Sequence, residues 1–211
     1  MEKLDLRKQH KQLYQPSVRA VGIVDVPPFQ FAMVDGAIEP DHSPGDSPSF
    51  QAALEVLYGI SYTLKFISKQ RPQNPIDYTV MALEALWWVE NGRFDITNPG
   101  NWRWTAMIMQ PAHITAVMFE DGLAQLRRKK PNPALNRLRL ETFHEGLCLQ
   151  IMHIGPYADE PATIARLNDF AREHGYQMRG QHHEIYLGDP RRADPARLKT
   201  VLRHPVERQV A

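Results

Sequence analysis

The sequence predicts an α+β protein: tandem βαββ repeats with pseudo-twofold symmetry, antiparallel sheets with helices on one face, and a ligand groove on the other. Three observations lead there. The element order β-α-β-β is read twice along the 211 residues. Local segments recur in the same order, since Met33-Val-Asp-Gly36 has the spacing of Met152-His-Ile-Gly155, and Ile108-Met-Gln-Pro111 resembles Leu202-Arg-His-Pro205. An acidic residue also recurs beside aromatics, as Glu84 in Leu83-Glu-Ala-Leu-Trp-Trp88 and as Glu184 in His182-His-Glu-Ile-Tyr186. The chain 1–211 is read as one domain, with a first repeat at about 27–111, a connecting helix at about 114–130 and a second repeat at about 137–206.

Each element has a local cause. Residues 1–26 are a polar lead-in that turns apolar from Val18, and Phe29 to Asp35 reads as the first strand. Residues 37–48 are loop by composition. Ser47-Pro48 then provides an N-cap with proline in the first turn. The helix that follows carries Phe50, Ala53, Leu54, Leu57, Ile60, Leu64 and Ile67 at helical spacing. Residues 79–90 and 102–110, bounded by Asn-Gly and Asn-Pro-Gly, read as a hairpin. Thr115 to Lys130 is a second helix stopped by Pro131-Asn-Pro. Leu138 to His153 is extended, Glu160-Pro161 opens a helix closed near Gly175, and 181–187 and 199–204 give two further strands.

Composition narrows the function. The net charge is +1, with acidic and basic residues mixed, so no nucleic-acid or membrane partner is expected. The run Arg127-Arg-Lys-Lys130 is a helix end whose cations suit the macrodipole. Cys148 is alone among apolar neighbours, so it reads as a core residue in a reducing compartment. The charged start lacks a signal-peptide core and no apolar run is long enough to span a bilayer, so a cytoplasmic protein is expected. His182 and His183 point to opposite faces of a strand and do not chelate one ion together, and no zinc signature occurs. Phosphate-binding glycine loops and the GxSxG elbow are missing, so neither metal nor cofactor is expected.

Strand alternation proposes the site. The odd positions Met81, Leu83, Ala85 and Trp87 are all apolar and suit a helix-covered face. On the second copy His183, Ile185 and Leu187 are assigned to the helices. The opposite face would then gather Glu84, Glu184, Trp88, Trp102, Trp104 and Tyr186, with Glu145 as a further candidate. Two carboxylates among aromatics suggest an apolar pocket with charge at its centre. Trp87 reads as core.

Several motifs carry a family resemblance: His153-Ile-Gly-Pro-Tyr157, Glu173-His-Gly-Tyr176, His183-Glu-Ile-Tyr-Leu-Gly-Asp-Pro190 and Lys199-Thr-Val-Leu-Arg-His-Pro205. Together they resemble the GyrI-like small-molecule-binding family, most specifically over 137–206 and less so from Leu57 to Pro111, including Tyr62-Thr-Leu-Lys-Phe66 and Leu86-Trp-Trp88. The resemblance implies a groove in which a buried Glu and aromatics hold lipophilic, often cationic, compounds. Glu184 takes the acidic position. Some stand-alone relatives with the Trp-Trp and His-His-Glu-Ile-Tyr segments look like hydrolases that open the cyclopropane rings of DNA-alkylating compounds.

Two functions are therefore expected from one pocket, with a lipophilic aromatic small molecule as the partner and a monomer or homodimer as the assembly. In the first, Glu184 is a general base that activates water, because an apolar surrounding disfavours its charged form. A phenol then bonds the substrate carbonyl as negative charge develops there. Tyr157, Tyr186, Tyr62 and Tyr58 are all candidates for that phenol, with Tyr157 set beside Glu184 as the catalytic pair. Trp88, Trp104 and Trp102 would stack on a flat ligand. In the second, Glu184 is the counter-ion of a lipophilic cation, aided by cation–π contact, and no bond breaks. A third reading, a protein that docks on and inhibits a partner enzyme, finds little support in the mixed surface charge.

Overall fold

The computed structural model describes residues 3–92 and 94–209. Helices α1 (Leu6–Gln9) and α2 (Lys11–Tyr14) lead into strands β1 (Gly22–Val26) and β2 (Phe29–Ala37). Helix α3 (Pro48–Gln70), strands β3 (Leu83–Trp88) and β4 (Arg103–Gln110) and helix α4 (Ala116–Lys129) follow. The second half holds β5 (Arg139–Phe143), β6 (Gly146–Ile154), α5 (Glu160–Glu173), β7 (Tyr176–Met178), β8 (His182–Tyr186) and β9 (Lys199–Arg208).

The caps behave as their residue types dictate. The Ser47 hydroxyl accepts from the Phe50 amide, and Thr115 accepts from the Met118 amide at the start of α4. Each satisfies one of the orphan donors at a helix start. Helix α3 buries Phe50, Ala53, Leu57, Ile60 and Leu64 and leaves Tyr58, Tyr62 and Phe66 exposed. Three details depart from the sequence reading. The lead-in is ordered into α1, α2 and β1. The extended stretch 138–153 breaks at His144-Glu145 into β5 and β6, where Gly146 takes a positive φ of 75° that favours glycine. Strand β7 lies beyond the strands predicted.

Among the described residues, nine strands join one antiparallel sheet, in the order β1-β6-β9-β8-β3-β4-β2-β5 with β7 alongside β9. The two inner strands β3 and β8 pair with each other. Strand β1 precedes β2 in the chain yet pairs with β6, while β5 precedes β6 and pairs with β2. The outer edge of each half is thus completed by chain that leads into the other half. The α+β class with one large antiparallel sheet and packed helices follows the expectation from the sequence.

Directly paired residues share a face of the sheet, so the register assigns the faces. Trp87 pairs with Trp104 and with His182, Ala85 with Glu184, and Leu83 with Tyr186. Phe50 of α3 packs on both Trp87 and Trp104, at 5.1 Å between ring centroids in each case. This is therefore the helix face. Across it, Leu167 and Ala171 of α5 pack with Leu149, Ile151 and Leu202. The expectation that Glu184 and Tyr186 point away from the helices is corrected: they lie on the helix side. The opposite face carries Glu84, His183 and Arg203, and the N-terminal segment closes over it through Leu13 and Tyr14.

One close approach constrains the first half. A Cβ at Gly36 would stand 2.1 Å from the Trp104 ring, so this position accepts no side chain unless the indole shifts. Trp104 is fully buried between Gly36 and Phe50, with the Arg137 guanidinium 5.8 Å from its ring centroid.

Candidate functional site

Helix α3 packs over β2 and β4, and α5 over β6, β7 and β9. The β3–β8 seam therefore runs between the two helices, and its helix-side residues gather the candidate site. Glu184 is its centre, 5% exposed. The Tyr186 hydroxyl donates to Glu184 Oε2 at 2.6 Å. Trp87 Nε1 in turn donates to the Tyr186 oxygen at 3.1 Å. The phenol is thus oriented from behind by an indole and directs its proton to the carboxylate. His182 Nε2 lies 3.2 Å from Glu184 Oε1, and Phe94 stacks on the His182 ring. Among the described residues, no Lys or Arg forms an ion pair with Glu184.

Tyr157 stands edge-on to Tyr186, with centroids 5.8 Å apart, and is 38% exposed. Burial first, then the carboxyls of Glu160 and Glu184, push its phenol up to about 12. Tyr58 reaches the same neighbourhood from α3. Burial, then the nearby Asp189 carboxylate, raises its phenol too. Burial and the Glu184 charge likewise push Tyr186 upward. All three phenols remain protonated donors at neutral pH. Tyr62, one turn beyond Tyr58, is half-exposed and continues this aromatic edge outward.

Glu160, at the first turn of α5, is a member of this cluster that the sequence reading assigned only to a helix start. It is 2% exposed, with the Thr200 hydroxyl beside it. Burial first, then the charge of Glu184, push its carboxyl up to about 9. A helix N-terminus favours a carboxylate by at most about 2 kcal/mol, against about 1.4 kcal/mol for each pKa unit, so the helix end does not offset a shift of this size. Glu160 is thus held toward its protonated form, well above the usual carboxyl range. The available signal for Glu160 was its position, three residues after Tyr157 where the chain turns back over the sheet.

The remaining predicted residues lie elsewhere. Glu84 pairs in register with Ile185, not with Glu184, which puts it on the opposite face. There it accepts from the Tyr14 hydroxyl at 2.8 Å and stands 3.0 Å from His183 Nε2. Glu145 lies on that face as well, 2.9 Å from His183 Nδ1 and 3.1 Å from an Arg203 nitrogen. Arg203 also donates to Gln150 and to the Leu13 carbonyl. Burial opposes charge on both Glu145 and His183. Mutual attraction wins: His183 and Arg203 hold Glu145 down at about 2, and Glu145 and Glu84 raise His183 to about 9. A neighbouring cavity of about 10 Å³ is near the size of one water.

The expectation that Glu84, Glu145 and Trp88 share the Glu184 face is thus overturned by a one-residue phase difference along β3 and β8. Trp88 pairs with Arg103 on the far side. Trp102 and Trp104 share the Glu184 face as expected, but that face is the helix side and not an open groove, and both rings lie in the core. Trp102 packs on Trp87 and Phe94 and donates to the Asp95 carbonyl at 3.1 Å. Trp87, read as core, is both buried and the donor that fixes Tyr186. Among the described residues, no group of three or more His, Cys, Asp or Glu side chains is placed to hold a metal ion. No helix among them is long and apolar enough to cross a membrane.

Comparison with known proteins adds a family. Residues 100–207 match the model of the GyrI-like small molecule binding domain. An uncharacterized conserved protein from Listeria innocua is 37% identical, with a TM-score of 0.87 over 97% of this chain and 100% of its own. A hydrolase from Listeria innocua is 36% identical, with a TM-score of 0.84 over 98% of this chain and 100% of its own. The EcmrR C-terminal domain shares the fold alone, at 11% identity and a TM-score of 0.54 over 90% of this chain and 98% of its own. No curated protein matches. By its matched residues and by these full-length likenesses, the chain belongs to the GyrI-like small molecule binding domain family.

Proposed function

We propose that this protein binds lipophilic aromatic small molecules at the β3–β8 seam and detoxifies reactive cyclopropanes among them by adding water. The observation that carries the reading is Glu184. It is a buried carboxylate that no Lys or Arg among the described residues pairs with, oriented by the Trp87–Tyr186 chain and bordered by protonated phenols. The full-length likeness to a hydrolase supports the same class.

The chemistry balances as follows. Glu184 accepts a proton from water as the water oxygen bonds to the ring methylene. The carbon–carbon bond to that methylene breaks, and its electron pair moves through the conjugated ring to the carbonyl oxygen. Tyr157, an exposed phenol that stands edge-on to Tyr186, bonds that oxygen as negative charge develops on it. The phenolate then takes up a proton from solvent and Glu184 gives its proton back to solvent, so the product is the substrate plus one water.

The test is incubation with a spirocyclopropyl cyclohexadienone, with products followed by mass spectrometry. Wild-type protein should speed formation of the water adduct. Glu184→Gln should keep binding and lose roughly 10²- to 10⁴-fold in turnover, the usual worth of a general base. Unchanged turnover in Glu184→Gln would sink the mechanism.

A second reading rests on the same unpaired charge. If the protein only binds, Glu184 is the counter-ion of a lipophilic cation with the Tyr157 and Tyr58 rings alongside. Glu184→Gln should then weaken cation binding while sparing neutral analogues, and equal loss for both would count against it.

A further inference from the structure

Glu184 is approached at both of its oxygens, and the mechanism above uses only one approach. Tyr186 donates to Oε2, while Nε2 of His182 stands 3.2 Å from Oε1. His182 is 3% exposed. Its Nε2 has no hydrogen-bond partner among the described residues, so it stands close to Oε1 but out of line with it. A buried donor left unpaired is uncommon and costly. Hydrogen bonds within a catalytic group are often poorly aligned before substrate binds and tighten once it does.

The two approaches start from one aromatic cluster. Trp102 packs on Trp87 with centroids 5.3 Å apart and on Phe94 at 4.9 Å. Trp87 leads to Glu184 through Tyr186. Phe94 leads to it through His182, on whose ring it stacks at 5.8 Å and 25°. His204 also borders the His182 ring, with centroids 6.0 Å apart. Packing thus holds the imidazole with its Nε2 edge beside the carboxylate. A bare nitrogen lone pair so near a carboxylate oxygen would be repelled, so Nε2 carries a proton.

We propose that His182 is a positioning residue for Glu184: its Nε2–H takes Oε1 while Tyr186 holds Oε2, which fixes the plane of the carboxylate that deprotonates water. The inference rests on the hydrolytic reading above. A carboxylate offers about four lone-pair sites, so two donors leave room for the proton of water. His182 does not touch the substrate, and no proton changes hands at its ring. It acts through Glu184 alone. Misplacing a catalytic group by about 1 Å costs on the order of 10²-fold in rate, and this sets the size of the expected effect.

Two variants separate the N–H from the ring that carries it. His182→Phe keeps a flat ring for Phe94 to stack on and removes the donor. His182→Gln gives up the ring and keeps an N–H near the place of Nε2. In hydration of the spirocyclopropyl cyclohexadienone, His182→Phe should lower kcat about 10²-fold with KM unchanged, and His182→Gln should recover at least about tenfold of that loss. Wild-type kcat in His182→Phe overturns the proposal and leaves Glu184 as the base. So does a His182→Gln variant as slow as His182→Phe, because the ring and not the donor would then matter. Nitrogen-15 NMR of the wild-type protein without substrate should show a protonated Nε2 on His182, assigned by the loss of its signal in His182→Gln. A bare Nε2 overturns the proposal even if His182→Phe fails to fold. Wild-type protein that leaves the electrophile unchanged overturns the hydrolytic reading itself, and the positioning role with it.

Discussion

His183 and Glu184 are neighbours on β8, yet they face two different environments. On the His183 side, two carboxylates meet an imidazolium and a guanidinium, so the buried charges balance. Tyr14, Gln150 and the Leu13 carbonyl add hydrogen bonds to these groups. On the Glu184 side, a carboxylate meets phenols, a histidine and a second carboxyl, and no Lys or Arg offsets it among the described residues. The first arrangement is finished within the protein and ties the N-terminal segment to the sheet. The second leaves charge and proton-carrying groups uncompensated, as a site for another molecule requires. Buried acidic residues alone do not mark a site; how their charge is balanced does.

The largest expected break is on the balanced face. Glu145→Ala leaves Arg203 and His183 without their shared carboxylate, and removing one partner of a buried ion pair costs about 3–5 kcal/mol. Urea unfolding measures this, and a loss below about 1 kcal/mol would show that the face is not a structural lock. Tyr14→Phe removes the hydroxyl that donates to Glu84 and should cost about 1–3 kcal/mol. The same melts should show its effect on stability while ligand binding at the seam persists. A selective loss of binding would join the two faces functionally.

The pH dependence separates the faces next. His183 is raised from 6.5 to about 9, so its stabilising contribution is complete below pH 6.5 and is lost as pH rises through about 9. Glu145, lowered from 4.5 to about 2, contributes above pH 4.5 and loses that contribution as pH falls through about 2. Glu160 is raised from 4.5 to about 9, so the folded protein loses relative stability between those values. Glu160→Gln should therefore be more stable than wild type at pH 8, while Glu145→Gln should be less stable at every pH from 5 to 8. Thermal melts across that range check both signs. The smallest effect belongs to Tyr62→Ser on the exposed edge of α3, which should change stability by within about 0.5 kcal/mol. A larger change would mean that this edge is packed against something.

Much of this was legible in the chain. Ser47-Pro48 and Thr115 announced their helices, because capping is a short-range matter of one side chain and one amide. Apolar spacing located the buried stripe of α3, and the Tyr186–Glu184 pair followed from alternation two residues apart. The lead-in was less legible. Its α1 and α2 are four residues each and stand through docking onto β3, β6 and β9, not through helix propensity.

Glu84 and Glu184 illustrate the boundary. Alternation states which residues of one strand share a face, and it states so correctly for each strand separately. It carries no information on the phase between two strands, which the β3–β8 register decides by pairing Glu184 with Ala85. Glu160 and Thr200 were beyond local patterning for the same reason: forty residues of chain separate them, and only the folding of α5 over β9 brings them together at the seam. Local chemistry is written in neighbouring residues; the balance of charge across a sheet depends on contacts that only the closed structure makes.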